Sequence, residues 1–243
     1  MGGQPAVGAA GSGPGYGAKP VVALVLLVLA TGTHLLAQLV APEDLLADIT
    51  QILLMPLLAA VLVTGLPSVG STLARLVLVA LFFSWLGDTL PRFLGGDAGF
   101  LTMVGCFLMA QVFYILAFWP YRAGSLLARP VAVLPYLAAL TVLVVFCAPG
   151  AGSLLVPVLV YGIALGLMAV LSTGLGVQAG CGGVIFFLSD AMIAVRSFAG
   201  VELVAHGFWI MSGYVLGQGL IVAAVVRRRR TIDRDRAQGA AHG

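Results

Sequence analysis

Two aspartates lie inside long apolar runs, Asp88 in Phe-Phe-Ser-Trp-Leu-Gly-Asp and Asp190 in Phe-Phe-Leu-Ser-Asp. A carboxylate at the centre of a membrane-spanning helix costs roughly 2.5–3.5 kcal/mol on insertion scales, so such residues usually face a cavity and have a function. Two carboxyl groups close together in a low-dielectric site cannot both ionise easily, so one keeps its proton. The pair then offers an acid and a base, which suits hydrolysis by protonation and water attack. The alternative is structural, with each carboxyl holding helices together through hydrogen bonds to Ser, Tyr or Arg.

Seven polar side chains lie in or beside the apolar runs and could assist this pair. Gln111 and Tyr114 are three residues apart, which places them on one face of a helix. Such side chains could orient a substrate or a water molecule, or they could make interhelical hydrogen bonds worth well under about 2 kcal/mol each. The residues predicted to bind substrate are Ser84, Gln111, Tyr114, Tyr161, Ser189, Tyr214 and Gln218.

No residue pattern indicates a metal or an organic cofactor. Cys106, Cys147 and Cys181 lie in apolar segments without C-x-x-C spacing, which favours buried thiols over disulfides or a zinc site. His34 and His206 are isolated, and too few other ligands converge for a three-ligand metal site. A P-loop and a G-x-S-x-G elbow are also lacking. We therefore expect no cofactor, and neither serine-hydrolase nor nucleotide-driven chemistry.

Composition indicates a membrane protein. Of 243 residues, 61% are hydrophobic and only 9% are charged, whereas soluble domains carry about 25% charged residues. The net charge of +3 has a local source, because Arg227 to Arg230 follow the last apolar run, with Arg234 and Arg236 just beyond. Such a cluster is typical of a topology anchor and of contact with anionic membrane lipids, so we expect no nucleic-acid partner.

Hydropathy and turn residues predict an all-α polytopic membrane protein with eight transmembrane helices. Each apolar segment has about the 20 residues that span a bilayer, and the breaks carry Gly, Pro or charged residues. We expect a disordered tail at 1–20, a transmembrane domain at 21–226 and a basic cytoplasmic tail at 227–243. Helices three and seven share Phe-Phe, Asp, Arg and Phe, which suggests a four-plus-four internal repeat. The predicted helices cover residues 21–40, 49–66, 71–90, 98–119, 129–148, 153–173, 180–199 and 206–226.

The placement of Lys and Arg predicts the orientation. With both termini cytoplasmic, only Arg92 and Arg196 of the 12 basic residues fall outside, in agreement with the positive-inside rule. The abundance of Arg, Ala and Gly favours a GC-rich bacterial genome, so the expected location is the bacterial inner membrane. On this topology both aspartates lie in the outer half of the membrane. Arg92 follows Asp88 by four residues, which places them on one helix face unless Pro91 breaks the helix.

Short runs around both aspartates carry a family resemblance. They are Leu81 to Asp88, Phe113 to Phe118, Tyr161, Phe186 to Asp190 and Tyr214 to Gln218, with Leu54 to Leu58 in helix two. These runs resemble the YhhN/lysoplasmalogenase family of integral membrane proteins over roughly residues 50–225. The resemblance implies an eight-helix, cofactor-free enzyme that cleaves the vinyl ether bond of lysoplasmalogens to a fatty aldehyde and glycerophospho-ethanolamine or -choline. The implied partners are a lysophospholipid substrate and membrane lipids, while the oligomeric state stays open.

The chemistry of a vinyl ether agrees with a pair of carboxyl groups. Hydrolysis begins with proton transfer to the alkenyl carbon, which gives an oxocarbenium ion that water attacks. One Asp as general acid and the other as stabilising base suit this course, although the sequence does not say which does which. Family members often carry Lys-Pro where this chain has Gln51-Ile52, and Gly-His where it has Ala110-Gln111. These departures bear on headgroup recognition, so the substrate could be another lipid ether.

Two other functions fit parts of the pattern. A proton- or ion-coupled transporter could use Asp88 and Asp190 as a relay, and the apparent repeat suits that class. A structural or regulatory bundle would use the carboxyls only to join helices. A lateral opening to lipid would favour the hydrolase, and a continuous water path across the membrane would favour the transporter.

Overall fold

A computed structural model describes residues 18–241, and these form a bundle of eight α-helices. Strands are absent from the described range, and short 3-10 turns join or extend several of the helices. The helices are α1 (Ala18–Val40), α2 (Leu45–Gly65), α3 (Thr72–Thr89), α4 (Gly96–Phe118), α5 (Pro130–Ala151), α6 (Leu155–Ser172), α7 (Val177–Ala199) and α8 (His206–Ala241).

Seven helical stretches within residues 18–241 are long and apolar enough to cross a membrane, which makes this a multi-pass membrane protein. The fifth stretch, Pro130–Leu175, contains both α5 and α6. Its 46 residues would measure about 69 Å as one straight helix, more than twice the roughly 30 Å hydrocarbon core. Gly152, with φ +49°, interrupts it, and a Cβ on Gly162 would lie 2.9 Å from Leu140. The middles of α5 and α6 therefore pack together as a hairpin, while the count of eight crossings stays a prediction.

The observed helices begin and end within a few residues of the predicted limits, with two larger differences. Most of the predicted tail at 1–20 lies outside the described residues, and Ala18 to Pro20 already belong to α1. At the other end, α8 continues as a helix from the membrane segment through the basic region to Ala241. Arg, Gln and Ala are good helix formers, and the Arg229–Asp233 pair, 3.1 Å apart, adds an i,i+4 contact.

The bundle is apolar on the outside as well as inside. Val28 and Leu29 of α1 and Val142 and Val145 of α5 are each at least 60% exposed, as expected for side chains that face lipid rather than water. Polar residues are instead found in the interior, where Ser84, Gln111 and Gln218 are fully buried. This arrangement fits a bilayer, because polar groups in lipid need partners within the protein.

Helices α7 and α8 approach each other closely at glycines. A Cβ on Gly217 would lie 2.8 Å from the carbonyl oxygen of Gly182, and a Cβ on Gly213 would lie 3.0 Å from the Cβ of Ser189. Only small residues permit such an approach between helix backbones. The contact brings the first half of α8 against α7 between Gly182 and Ser189.

The ends of six helices meet on one side of the bundle. The last turns of α1 and α3, the start of α2 and α4, the last third of α7 and the first turns of α8 all lie there. The hydrogen bonds do not repeat between the halves, since Asp88 pairs with Tyr214 of α8 whereas Asp190 pairs with Tyr161 of α6. The four-plus-four repeat thus stays a prediction.

Candidate functional site

A cavity of about 460 Å³ at this end of the bundle contains both aspartates. Its lining combines polar groups, among them the two carboxyls, two glutamines, an arginine and a tyrosine, with apolar Met, Phe and Ile side chains. The cavity is open to the surface near Arg196 and Ser197, which are exposed. Its lining consists of Gln38, Gln51, Gly87, Asp88, Met103, Phe107, Asp190, Ile193, Arg196, Ser197, Gly207, Ile210, Met211 and Tyr214.

Asp88 is held by donors from two other helices. It lies in the last turn of α3 and is 7% exposed. Gln51 Nε2 of α2 donates to its Oδ1 over 3.1 Å, and the Tyr214 hydroxyl of α8 donates to its Oδ2 over 2.8 Å. Both carboxyl oxygens therefore accept a hydrogen bond, which is the arrangement that favours a carboxylate.

Asp190 is fixed from the opposite side of the cavity. It lies in α7 and is partly buried, and the Tyr161 hydroxyl of α6 donates a hydrogen bond to its Oδ2. Tyr161 is the only donor to this carboxyl among residues 18–241, so Oδ1 accepts no hydrogen bond from these residues. Asp88 and Asp190 thus share one cavity but have different surroundings.

Arg92 takes a different direction from the one that its spacing predicts. The α-helix ends at Thr89 and a 3-10 turn follows over Leu90–Phe93, as Pro91 requires. Arg92 Nε therefore donates to the backbone carbonyl of Asp88 over 3.0 Å, not to its carboxylate. The guanidinium donates instead to Asp48, and over 2.7 Å to Oε1 of Gln51. Arg92 thereby orients the Gln51 amide so that its NH₂ group points at Asp88.

Three predicted substrate-binding residues lie behind the cavity rather than on its wall. Tyr114 donates its hydroxyl hydrogen to Gln218 Oε1, and Gln218 Nε2 donates to Ser84 Oγ over 3.2 Å. All three side chains are completely buried. This chain joins α3, α4 and α8 one to two helical turns below Asp88 and Tyr214, so these residues support the site and do not line it.

Ser189 also has a structural contact. Its hydroxyl donates to the backbone carbonyl of Ile210 over 2.8 Å, which ties α7 to α8. The neighbouring Asp190 points away from that contact and into the cavity. Ser189 is therefore a helix-joining residue in the structure, and its role in substrate binding stays a prediction.

Gln111 differs from the other buried polar residues because its amide makes no hydrogen bond of normal geometry. It is fully buried, and both Nε2 and Oε1 lack a partner within residues 18–241. It nevertheless lies close enough to the Tyr161 hydroxyl to interact with it. Buried amides almost always have hydrogen-bond partners, so this side chain has unused capacity beside the Tyr161–Asp190 pair.

Several polar residues at the cavity are not among the predicted site residues, namely Gln38, Gln51, Arg196 and Ser197 of its lining and Arg92, which contacts Gln51. Gln38 and Gln51 come from segments whose polar residues look like ordinary breaks in hydropathy, and Arg92 and Arg196 look like topology signals. Gln51 was marked in the sequence only as a departure from the family pattern. The available signal was its helical position, because Gln51 lies almost two turns into an apolar helix, where a polar residue needs a partner.

Narrow apolar crevices extend from Asp190 between the helices. One, between α4, α6 and α7, is lined by Phe100, Val104, Val158 and Phe198, and another runs between α5, α6 and α7 past Leu140 and Leu165. Both also include Tyr161 and Asp190. The carboxyl group of Asp190 is therefore flanked by polar space on one side and by hydrocarbon on the other.

Residues 18–241 contain no cluster of three or more His, Cys, Asp or Glu side chains placed to share a metal ion. The two histidines in this range have structural contacts. Buried His34 bonds Thr50 Oγ1 over 2.9 Å and joins α1 to α2, while His206 bonds the carbonyl of Met192 over 3.1 Å. Neither imidazole lines the cavity.

Comparison with known proteins gives one match. The model of the YhhN family matches residues 46–225, which include α2 to α7, the membrane part of α8 and both aspartates. No curated protein and no solved structure matches the chain.

Proposed function

The chain belongs to the YhhN family, and from this membership and the cavity we propose that it is a membrane-embedded hydrolase that cleaves the vinyl ether bond of lysoplasmalogen-type lipids. The single observation that carries the proposal is that two intramembrane carboxyl groups, each bonded to a tyrosine, line one cavity with both polar and apolar walls. A lysolipid has the same division, with a polar headgroup beside a long hydrocarbon chain. The vinyl ether of the lipid lies between the headgroup and the hydrocarbon chain, which would place it next to the two carboxyl groups.

The hydrogen bonds support a division of roles between the two aspartates. Asp190 acts as the general acid, because one of its oxygens is left to carry a proton that it can give to the alkenyl carbon. Asp88 acts as the carboxylate, because both of its oxygens accept protein hydrogen bonds. Its negative charge stabilises the oxocarbenium ion that protonation creates.

Water completes the reaction without a covalent enzyme intermediate. A water molecule adds to the oxocarbenium carbon and loses a proton to a carboxylate, which gives a hemiacetal. The hemiacetal then breaks its bond to the glycerol oxygen, releasing a fatty aldehyde and the glycerophospho alcohol. We assign the positioning of this water to Gln111, whose buried amide has both a donor and an acceptor to offer beside Tyr161, the hydrogen-bond partner of Asp190.

The remainder of the lipid fits the two kinds of surface around the carboxyl groups. The apolar crevices beside Asp190, of about 40 Å³ each, would have to widen between the helices to accept the alkenyl chain from the bilayer. At the open end of the cavity, Arg196 would meet the phosphate, because its exposed ion pair with Glu202, 3.2 Å apart, can exchange for another anion at little cost. Gln38 and Ser197 would contact the rest of the headgroup.

The packing of the bundle interior supports a transporter less well than a hydrolase. Below the site, the Tyr114–Gln218–Ser84 chain is fully buried and is followed by close-packed apolar residues such as Leu81 and Met168. The second large cavity, at the opposite end of the bundle, shares no lining residue with the first. A proton-coupled carrier needs access to the relay from both sides.

We further propose that α5 and α6 each cross the bacterial inner membrane, which gives eight crossings with both termini cytoplasmic. The hairpin geometry of the two helices supports this count. On this topology the carboxyl cavity opens toward the outer face and the arginines of α8 lie at the cytoplasmic face, in agreement with the positive-inside rule.

The test is aldehyde release from lysoplasmenyl-ethanolamine by the purified protein. We expect release by the wild type and its loss in Asp88→Asn and Asp190→Asn, while thermal unfolding shows that both variants remain folded. Asp97→Asn serves as the control, since Asp97 is an exposed acid in the first turn of α4 outside the cavity. Near-normal turnover in either cavity variant contradicts the acid/base roles, and no aldehyde from the wild type contradicts the substrate.

A further inference from the structure

We propose that the protein holds one anionic phospholipid in a second cavity, with the lipid phosphate bound by arginines of α8. This cavity has a volume of about 560 Å³ and lies between α1, α2, α7 and α8. Arg227, Arg230 and Arg234 line it. Measured along α8, Arg227 is 13 residues, or about 20 Å, from Tyr214, which places this cavity at the opposite end of the bundle from the carboxyl pair.

The arginines are aligned by the helix. Positions 227, 230 and 234 follow the spacing of one helical face, and Ala223 and Val226 continue that face toward the middle of the membrane. Side chains of α1 and α2, among them Leu24 and Val61, cover the same apolar half. The cavity is therefore basic at the end near the membrane surface and hydrocarbon-like further in, as a phospholipid requires.

Arg228 and Arg229 have partners outside the cavity, and Arg230 is held in place at its wall. Arg228 stacks over the Tyr121 ring with its guanidinium carbon 4.4 Å from the ring centroid, and Arg229 pairs with Asp233 over 3.1 Å. Arg230 is fixed by a 2.8 Å hydrogen bond from Nε to the carbonyl of Gly65, at the end of α2. The arginine side chains of this region thus point in different directions, and only some of them face the cavity. A topology anchor requires charge alone and would not need this arrangement.

The charge of the cavity favours an anionic occupant. No Asp or Glu lines it, and of the two acids beside Arg234 along α8, Asp233 is engaged by Arg229 and Asp235 is exposed. Arginine binds phosphate oxygens through paired N–H donors, which suits it to lipid phosphate. Basic cavities between membrane helices at the cytoplasmic side are a recurrent place for anionic headgroups. The chain preceding α1 offers no alternative counter-charge, since residues 1–17 contain neither Asp nor Glu.

The experiment compares lipid retention by purified wild type and variants in native mass spectrometry, with phosphatidylglycerol and phosphatidylcholine as probes. We expect one phosphatidylglycerol bound to the wild type. In Arg227→Gln/Arg234→Gln its retention should fall by at least roughly tenfold. The matched control is Arg129→Gln/Arg236→Gln, which also removes two positive charges, but from exposed positions outside the cavity. Equal loss in the control, or equal retention of the zwitterionic lipid, overturns the proposal.

A second variant separates a lipid from a free anion. Ala223→Leu fills the apolar half of the cavity and leaves all three arginines in place, so it should weaken phosphatidylglycerol binding. Inorganic phosphate at millimolar concentration should neither displace the lipid from the wild type nor raise its melting temperature. Displacement by phosphate, together with undiminished lipid binding by Ala223→Leu, would make this a site for soluble anions. The measurement is independent of aldehyde release, so the two proposals stand or fall separately.

Discussion

Gln111 and Gln218 are both fully buried glutamines, yet their surroundings differ completely. Gln218 accepts from Tyr114 and donates to Ser84, whereas the amide of Gln111 has no hydrogen-bond partner in the described range. The first residue therefore contributes to folding, and the second has its capacity available for the reaction. The sequence does not distinguish them, because both are single polar residues in apolar helices.

This contrast predicts opposite effects of one substitution. Gln218→Leu should lower the free energy of unfolding by about 1–3 kcal/mol, since it leaves the Tyr114 and Ser84 hydroxyls without partners. Gln111→Leu should leave stability unchanged or raise it slightly, and it should lower kcat by at least about tenfold through loss of the positioned water. Thermal unfolding and initial rates of aldehyde release measure both. Full activity in Gln111→Leu would remove this residue from the mechanism.

Arg196 should contribute to recognition and not to the chemical step. Arg196→Gln removes the exposed cation at the cavity mouth, so KM for a lysoplasmenyl phospholipid should rise roughly tenfold while kcat changes little. An alkenylglycerol without phosphate should be cleaved equally by the wild type and the variant. Arg129→Gln, an arginine just before α5 that does not line the cavity, is the control. A loss of kcat with KM unchanged would contradict this role.

At the scale of helices, the contact between α7 and α8 determines how the site is assembled. These helices carry Asp190 and Tyr214 respectively, and glycines bring their backbones together. A methyl group on Gly217 would lie 2.8 Å from both the Gly182 carbonyl and the Phe186 amide nitrogen. Because both of these groups are backbone atoms, the helices themselves would have to move apart.

Gly217→Ala should therefore destabilise the protein by roughly 1–3 kcal/mol and reduce activity by displacing Tyr214 from Asp88. Gly219→Ala is a closely matched control, since it lies two residues further along the same helix and has no atom within 4 Å of a built Cβ. We expect it to be neutral or slightly stabilising. Melting temperatures in one detergent, read beside aldehyde release, make the comparison. Equal melting temperatures for the two variants would show that α7 and α8 can separate without cost.

Most helices could be predicted from sequence because apolar runs of about 20 residues are a strong signal. For that reason the predicted limits of α3 and α7 lie within a few residues of the observed ones. The high cost of an isolated charge in a membrane is the reason to expect the two aspartates in one cavity. The direction of Arg92 could not be predicted, because the i,i+4 rule holds only while the α-helix continues and Pro91 changes the turn. Its actual partner Asp48 is 44 residues away in sequence.

For the whole molecule, the proposed topology predicts which positions an impermeant maleimide can reach. In a cysteine-free background, Asp97→Cys and Ser153→Cys should react in intact cells, because both lie at outward-facing helix junctions. Gly239→Cys, in the last turns of α8, should react only after the cells are opened. If α5 and α6 together crossed only once, Asp97→Cys and Gly239→Cys would be labelled from the same side. Labelling of Gly239→Cys in intact cells, with Asp97→Cys and Ser153→Cys labelled only in opened cells, would show the reversed orientation.

The site is also built from residues that lie far apart along the chain. Asp88 is bonded by Tyr214, which is 126 residues later, and Asp190 by Tyr161, 29 residues earlier. The sequence could identify Tyr161 and Tyr214 as candidates, but not which carboxyl each contacts. That pairing depends on helix order around the bundle, and single-chain hydropathy carries no information about order.

The long separation of Asp88 and Tyr214 has a consequence for biogenesis. At about 5–20 residues per second, a ribosome adds the 126 intervening residues in roughly 6–25 s, during which α3 has left the translocon without its tyrosine. Gln51 and Arg92 emerge before and just after Asp88, so the nascent chain already contains a donor for the carboxylate and a guanidinium that orients it. Asp88 therefore has hydrogen-bond partners from α2 and from the turn after α3 before α8 has been synthesised.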